Sequence, residues 1–111
     1  MWKDGNYNIE RIYKNIKYIK DFPALCPICN KLDAHLYMHI YEDKTRRGGL
    51  WIWCSKCHTF FHGSIYVPEF WENCDLIEKE KLCAIPDYLE KMNSIIDAHI
   101  NSILNKSVST K

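Results

Sequence analysis

Glycine is scarce in this sequence, with four residues among 111, and no glycine-rich phosphate loop can be assembled from them. Gly48-Gly49 is a lone doublet at the entrance to a strand, where turn geometry accounts for it, so nucleotide binding is not expected. Net charge is scarce as well: fifteen Lys and Arg against fourteen Asp and Glu leave +1, without the electrostatic excess of a polyanion binder. No run approaches the roughly 18 consecutive apolar residues of a membrane span. Met1-Trp2-Lys3-Asp4-Gly5 opens the chain without the apolar run of a signal peptide, and the cytoplasm is therefore the expected location. Internal repeats and low-complexity stretches are also missing.

What the sequence does contain is the balance of a folded protein, 47% apolar and 26% charged, with aromatics at 14%. A chain this short forms one core with limited burial, so a bound metal would add usefully to its stability. Charge is unevenly placed. Residues 1–67 carry ten basic and six acidic side chains, whereas residues 68–111 carry five basic and eight acidic.

Ile9, Ile12, Tyr13, Ile16 and Ile19 recur at helical spacing between charged residues, so residues 8–20 read as an amphipathic helix ended by Pro23. From Asp33 to Val67 the pattern turns to strand. Residues 35–41 alternate, 50–54 are rich in β-formers, and a third strand is expected at 59–65. The charged segment 42–49 between the first two is read as a long, exposed, mobile loop. Further on, Asp75 with Glu78 and Asp87 with Glu90 each stand as an N-cap and its N3 partner, marking two helix starts. The second of these helices, about 87–105, carries Leu89, Met92, Ile96, His99 and Ile103 on one stripe. The domain is expected to span residues 1–106, with 107–111 a disordered tail.

Six cysteines in a short chain without an export signal point to metal rather than disulfides. Cys26-Pro27-Ile28-Cys29 and Cys54-Ser55-Lys56-Cys57 each bend through two residues, so both thiolates of a pair aim at one point. Two such turns supply four sulfurs to a tetrahedral zinc at about 2.3 Å each. The 24 residues between Cys29 and Cys54 hold two strands and their loop. These residues resemble the zinc-ribbon family over about 24–67, and the resemblance implies a fold, with two knuckles at the ends of a small antiparallel sheet, but no activity.

A four-sulfur site is coordinatively closed and leaves no position for a metal-bound water, so the expected zinc is structural. His58 and His62 are not expected to chelate one ion together, because four residues of strand separate them by about 13 Å. Cys74 and Cys83 remain as thiols. Either could pair with a histidine such as His62 or His99 as a nucleophile, but Cys83 reads as packed and His99 as part of a helix stripe. No enzyme is expected.

Trp51, Trp53, Tyr66, Phe70 and Trp71 crowd around the second cysteine pair, more rings than a small sheet buries on one face. Leu50 and Ile52 face one way and Trp51 and Trp53 the other. If the helices cover the aliphatic side, an aromatic face is left for a partner; if they cover the other side, the rings are core. The expected partner-binding residues are Arg46, Arg47, Trp51, Trp53 and Tyr37, types that dominate protein interfaces. A protein partner is preferred to single-stranded nucleic acid, since Lys44, Arg46, Arg47 and Lys56 are the only local basic cluster. The run Trp51-Ile52-Trp53-Cys54-Ser55-Lys56-Cys57, continuing to His62, Val67-Pro68 and Trp71, is also similar to small bacterial zinc-ribbon proteins of the polymorphic-toxin immunity type. That resemblance implies a cytosolic, non-catalytic protein that neutralises a cognate toxin. The fold expected is α+β: a three-stranded antiparallel zinc-ribbon sheet flanked by an N-terminal helix and one or two C-terminal helices packed on the aliphatic face.

Overall fold

The computed structural model describes residues 2–3 and 8–109, without the side chains of 106–109. Alternation and β-branched or aromatic content yield three strands: β1 (Ala34–Glu42), β2 (Arg47–Cys54) and β3 (Phe60–Tyr66). They form an antiparallel sheet in the order β1-β2-β3. The register sets Tyr37 opposite Trp51 and His35 opposite Trp53 on one face, with Leu36 opposite Ile52 and Met38 opposite Leu50 on the other. Around the sheet lie α1 (Arg11–Lys14), α2 (Asp87–Lys91) and α3 (Asn93–Ser109), and the class is α+β as expected.

Both faces of the sheet are buried along the centre of β1 and β2, while His62, Ser64 and Tyr66 of β3 are exposed. Leu36, Met38, Leu50 and Ile52 are inaccessible to solvent, and so are Tyr37, Trp51 and Trp53. The expectation of a bare aromatic face is thereby corrected. Residues from the C-terminal part close over it: the indole of Trp51 donates to the Cys83 carbonyl at 2.8 Å, that of Trp53 to Glu90 and Asn93 at 3.1 Å each, and Trp71 meets Tyr37 edge-on. Large rings bury more area than aliphatic side chains, and the indole N–H groups of Trp51 and Trp53 find acceptors in the segment that covers them, which favours this face as core. The buried Trp71 indole nitrogen has no partner among the described residues.

The loop between β1 and β2 is tighter than the sequence implies. Four residues, 43–46, make the turn, and Gly48 and Gly49 lie within β2 rather than before it. Their smallness is needed there. A Cβ on Gly48 would collide with the carbonyl oxygen of His39, and one on Gly49 would come within 2.9 Å of the Trp51 ring, which lies across that position. Glu42 fixes the turn by accepting from the amide and hydroxyl of Thr45 at 2.8 and 2.9 Å.

Arg46 follows at φ 61° and turns inward. Its guanidinium donates to the carbonyls of Val67, Pro68 and Trp71 at 3.1, 2.6 and 2.6 Å. The expected partner contact at Arg46 is corrected accordingly, because the side chain is committed to holding the turn after β3. Arg46→Ala should lower stability by about 2 kcal/mol in urea denaturation. Arg46→Lys should recover little of it, since an ammonium cannot span three carbonyls as the planar fork does. A wild-type midpoint for Arg46→Ala would sink this assignment.

The helices are shorter than their hydrophobic periodicity. The N-terminal helix expected over 8–20 breaks at Asn15, whose side-chain amide competes for the Arg11 carbonyl at 3.0 Å, and continues as a single 3-10 turn, Ile16–Tyr18. No helix starts at Asp75; only a 3-10 turn, Lys79–Lys81, follows. Asp87 is the first residue of α2 rather than its cap, and its carboxylate receives the Trp2 indole at 2.6 Å. Met92 interrupts the expected 87–105 helix, and α3 runs on to Ser109 through part of the expected tail. Thr110 and Lys111 lie outside the described residues. Ile9, Ile12, Ile16, Leu89, Ile96, Ile100 and Ile103 join the rings of the sheet in one core.

Candidate metal centre

The two C-x2-C segments fold alike, bond for bond. In the first, the Cys26 amide donates to the Lys31 carbonyl and the Asn30 amide returns to the Cys26 carbonyl; in the second, Cys54 donates to Thr59 and His58 returns to Cys54. In both, the amide two residues on donates to the leading sulfur at 3.4 Å, Ile28 to Cys26 and Lys56 to Cys54. In both, the residue after the second cysteine is left-handed, Asn30 at φ 61° and His58 at φ 60°. The left-handed step closes each turn so that its two sulfurs converge.

The turns are brought together by the sheet. Ala24 bridges Ala34 at the start of β1, setting the first turn beside the second, and the Ser55 amide donates to the Asp33 carbonyl at 2.9 Å. All four sulfurs then lie within 4.8 Å of one another. Cys26 and Cys57 are 3.8 Å apart, Cys29 and Cys54 3.6 Å. Sulfurs at about 2.3 Å around a tetrahedral ion are separated by about 3.8 Å, so the cluster fits a metal ion such as zinc. Cys26 and Cys54 are buried and Cys29 and Cys57 half-buried.

Burial pushes the thiols of Cys26 and Cys54 above the ordinary range. Cys57 goes the other way: burial raises it, but hydrogen bonds led by those from Thr59 outweigh burial and bring it to about 7. The Thr59 hydroxyl, 3.4 Å from the Cys57 sulfur, can donate to the thiolate.

Neither His58 nor His62 belongs to the cluster. His58 lies against Trp2 at 5.0 Å between ring centroids, and His62 stacks on Trp51 at 4.6 Å. Cys74 is buried, with its amide donating to the Tyr37 hydroxyl. Cys83 is exposed, which corrects the expectation that it is packed; it lies in irregular chain outside the core.

Beside the second turn lies a polar network that sequence reading missed. Asp97 holds Nδ1 of His35 at 2.8 Å, Nε2 of His35 meets the Ser55 hydroxyl at 2.9 Å, and Ser55 also meets Glu90 at 2.7 Å and Asn93 at 3.1 Å. The order Asp, His, Ser is that of a nucleophilic triad. However, the Ser55 oxygen already has three polar neighbours besides its own Cβ, which fills its tetrahedral directions and leaves none aimed at a substrate. The network instead ties the metal turn to α2 and α3. Its one signal in the sequence is the spacing of Glu90, Asn93 and Asp97, a polar stripe on an otherwise apolar helical face. Asp97→Ala should cost about 2–3 kcal/mol in a denaturant melt, because His35 is then buried beside an empty position. An unchanged melt would show the pair to be ornamental.

Of the residues expected to contact a partner, Tyr37, Trp51 and Trp53 are core and Arg46 is occupied by backbone carbonyls. Arg47 alone is exposed, with its guanidinium 5.9 Å from the ring centre of Tyr66. Comparison with protein-family models, with curated proteins and with solved structures gave no match to this chain.

Proposed function

We propose that the chain is a zinc-ribbon module that acts by binding another protein, with zinc as a structural ion and no catalytic role. The four-thiolate cluster carries this reading. Tetrahedral sulfur sites suit zinc or iron, and zinc is the choice for two short turns on a small sheet. Four sulfurs complete the coordination sphere, so the ion offers no open position to a substrate. With Ser55 saturated and both faces of β1 and β2 covered at their centre, the surface is what remains for function.

That surface favours a protein. Trp51 and Trp53, which would have been the stacking platforms of a nucleic-acid reader, are buried, whereas exposed apolar side chains gather beside the first metal turn. In its narrower form, which rests on sequence resemblance alone, the partner is a bacterial toxin that the module neutralises. The test is metal analysis of the purified chain together with affinity purification from its native host. A single zinc per chain and one stoichiometric protein partner are expected. Iron in the site, or nuclease-sensitive nucleic acid in place of protein, would replace the corresponding half of the proposal.

A further inference from the structure

Resting on the protein-binding reading above, we infer that a groove between the N-terminal segment and α3 receives an acidic, amphipathic helical segment of the partner. The groove encloses about 780 Å³, and its apolar walls are Ile16, Tyr18, Ile19, Phe70 and Leu104. From Ile19 a second hollow of about 310 Å³ continues to Leu25 and Leu32 beside the first metal turn. Tyr18 is 82% exposed, Leu32 66% and Leu25 55%. Half of the large exposed apolar side chains of the described residues, with Phe70, therefore lie along this one path. A continuous concave apolar path is what a helix fills with side chains at i, i+3 or i+4, and i+7.

The charge beside the groove specifies its occupant. Arg11, Lys14, Lys17 and Lys20 recur at every third position and are all exposed. The ion pairs among the described residues are His35 with Asp97, Arg46 with Glu69, and Lys81 with Glu78, so none of the four cations is paired with a described carboxylate. Asp21 is the one carboxylate lining the groove, against Lys17 and Lys20. Like charges on adjacent turns repel, and carboxylates flanking an apolar stripe would relieve that repulsion while steering approach. Residues 106–111, with two lysines and no Asp or Glu, lack the complementary charge. Three of the five apolar walls, Ile16, Ile19 and Leu104, are aliphatic and offer no ring for base stacking beside Tyr18 and Phe70, and a concave surface receives side chains rather than a flat bilayer.

The test presents the zinc-loaded full chain to a displayed library of random 16-residue peptides. Selected peptides should be net acidic with apolar residues at helical spacing, and should lose at least tenfold in affinity for the Lys17→Glu/Lys20→Glu and Tyr18→Ala variants. Lys17, Lys20 and Tyr18 are exposed, so these variants should keep their zinc and circular dichroism. Selection of peptides without acidic bias, affinity unchanged by charge reversal, or displacement by phosphatidylglycerol vesicles or oligothymidine would each overturn the inference. Retention of a co-purifying partner by Lys17→Glu/Lys20→Glu would defeat the groove while leaving the binding module standing. Failure of the wild-type chain to retain any protein partner would defeat the module itself.

Discussion

Cys54→Ala should yield a chain that neither holds zinc nor melts cooperatively. Cys26→Ala and Cys57→Ala should behave alike, because each removes one corner of the same tetrahedron. Structural zinc sites contribute about 10–16 kcal/mol to folding, as much as or more than the entire stability of a typical domain, about 5–15 kcal/mol. The measurement is far-UV circular dichroism on heating, paired with metal content, for each variant and for the wild type treated with a chelator. Cys83→Ala, at an exposed thiol away from the cluster, is the control and should melt as the wild type does. A cooperative, wild-type melt after complete zinc removal would end the structural role proposed for the ion.

Acid should weaken the metal in a definite direction. In the metal-free fold, burial keeps Cys26 and Cys54 protonated at neutral pH, and Cys57 titrates at about 7. Zinc must displace these protons, so its affinity rises with pH and falls as pH falls. About two protons or more should be released per ion bound near pH 7. Calorimetry in buffers of different ionisation enthalpy reads that number directly, and a value near zero would show that the thiolates are already formed.

Trp53→Ala is expected to be the most costly substitution away from the cysteines. The side chain is fully buried, stacks on His35 with ring centroids 5.5 Å apart, and donates to Glu90 and Asn93. Loss of a buried ring of this size costs about 3–5 kcal/mol, and the acceptors left behind add to it. Trp53→Phe separates the two contributions. It keeps most of the volume and removes the N–H, so it should cost about 1–3 kcal/mol. Urea titrations of both variants give the comparison; a Trp53→Ala midpoint equal to that of the wild type would mean that the ring is not a core element.

Local chemistry was legible in the sequence and distant packing was not. Each cysteine turn closes within six residues, so its spacing carries its geometry. The strands announce themselves by alternation, and their observed limits differ by a few residues at most. Alternation could not say which face is covered, because it sorts rings from aliphatics and both proved apolar enough to bury. Arg46 looks like any exposed loop arginine until β3 returns and places three carbonyls within its reach. His35, Ser55 and Asp97 meet only because the sheet sets the second turn against α3, and no spacing between positions 35, 55 and 97 encodes that. Asn15 is the opposite case: the apolar period of 8–20 reads as one helix, but the short amide side chain inside it bonds the Arg11 carbonyl and ends the helix there.

Asn73 brings its side-chain amide flat against the outer edge of β1, accepting from the Ile40 amide at 2.7 Å and donating to the Ile40 carbonyl at 3.0 Å. At the other margin of the sheet, Lys3 bridges Thr59, the residue before β3, and the Lys3 carbonyl accepts from the Phe60 amide at 3.0 Å. Both margins are thus partly spoken for by the chain itself, where an open strand would offer a template to a second molecule. The four-cysteine cluster proposed to hold zinc lies where these strands begin and end. Stripping the zinc would therefore do more than loosen one molecule: it would release two adhesive margins at once, and the metal-free protein should be lost to self-association as much as to unfolding. Metal supply would then set how much of the protein a cell keeps in solution.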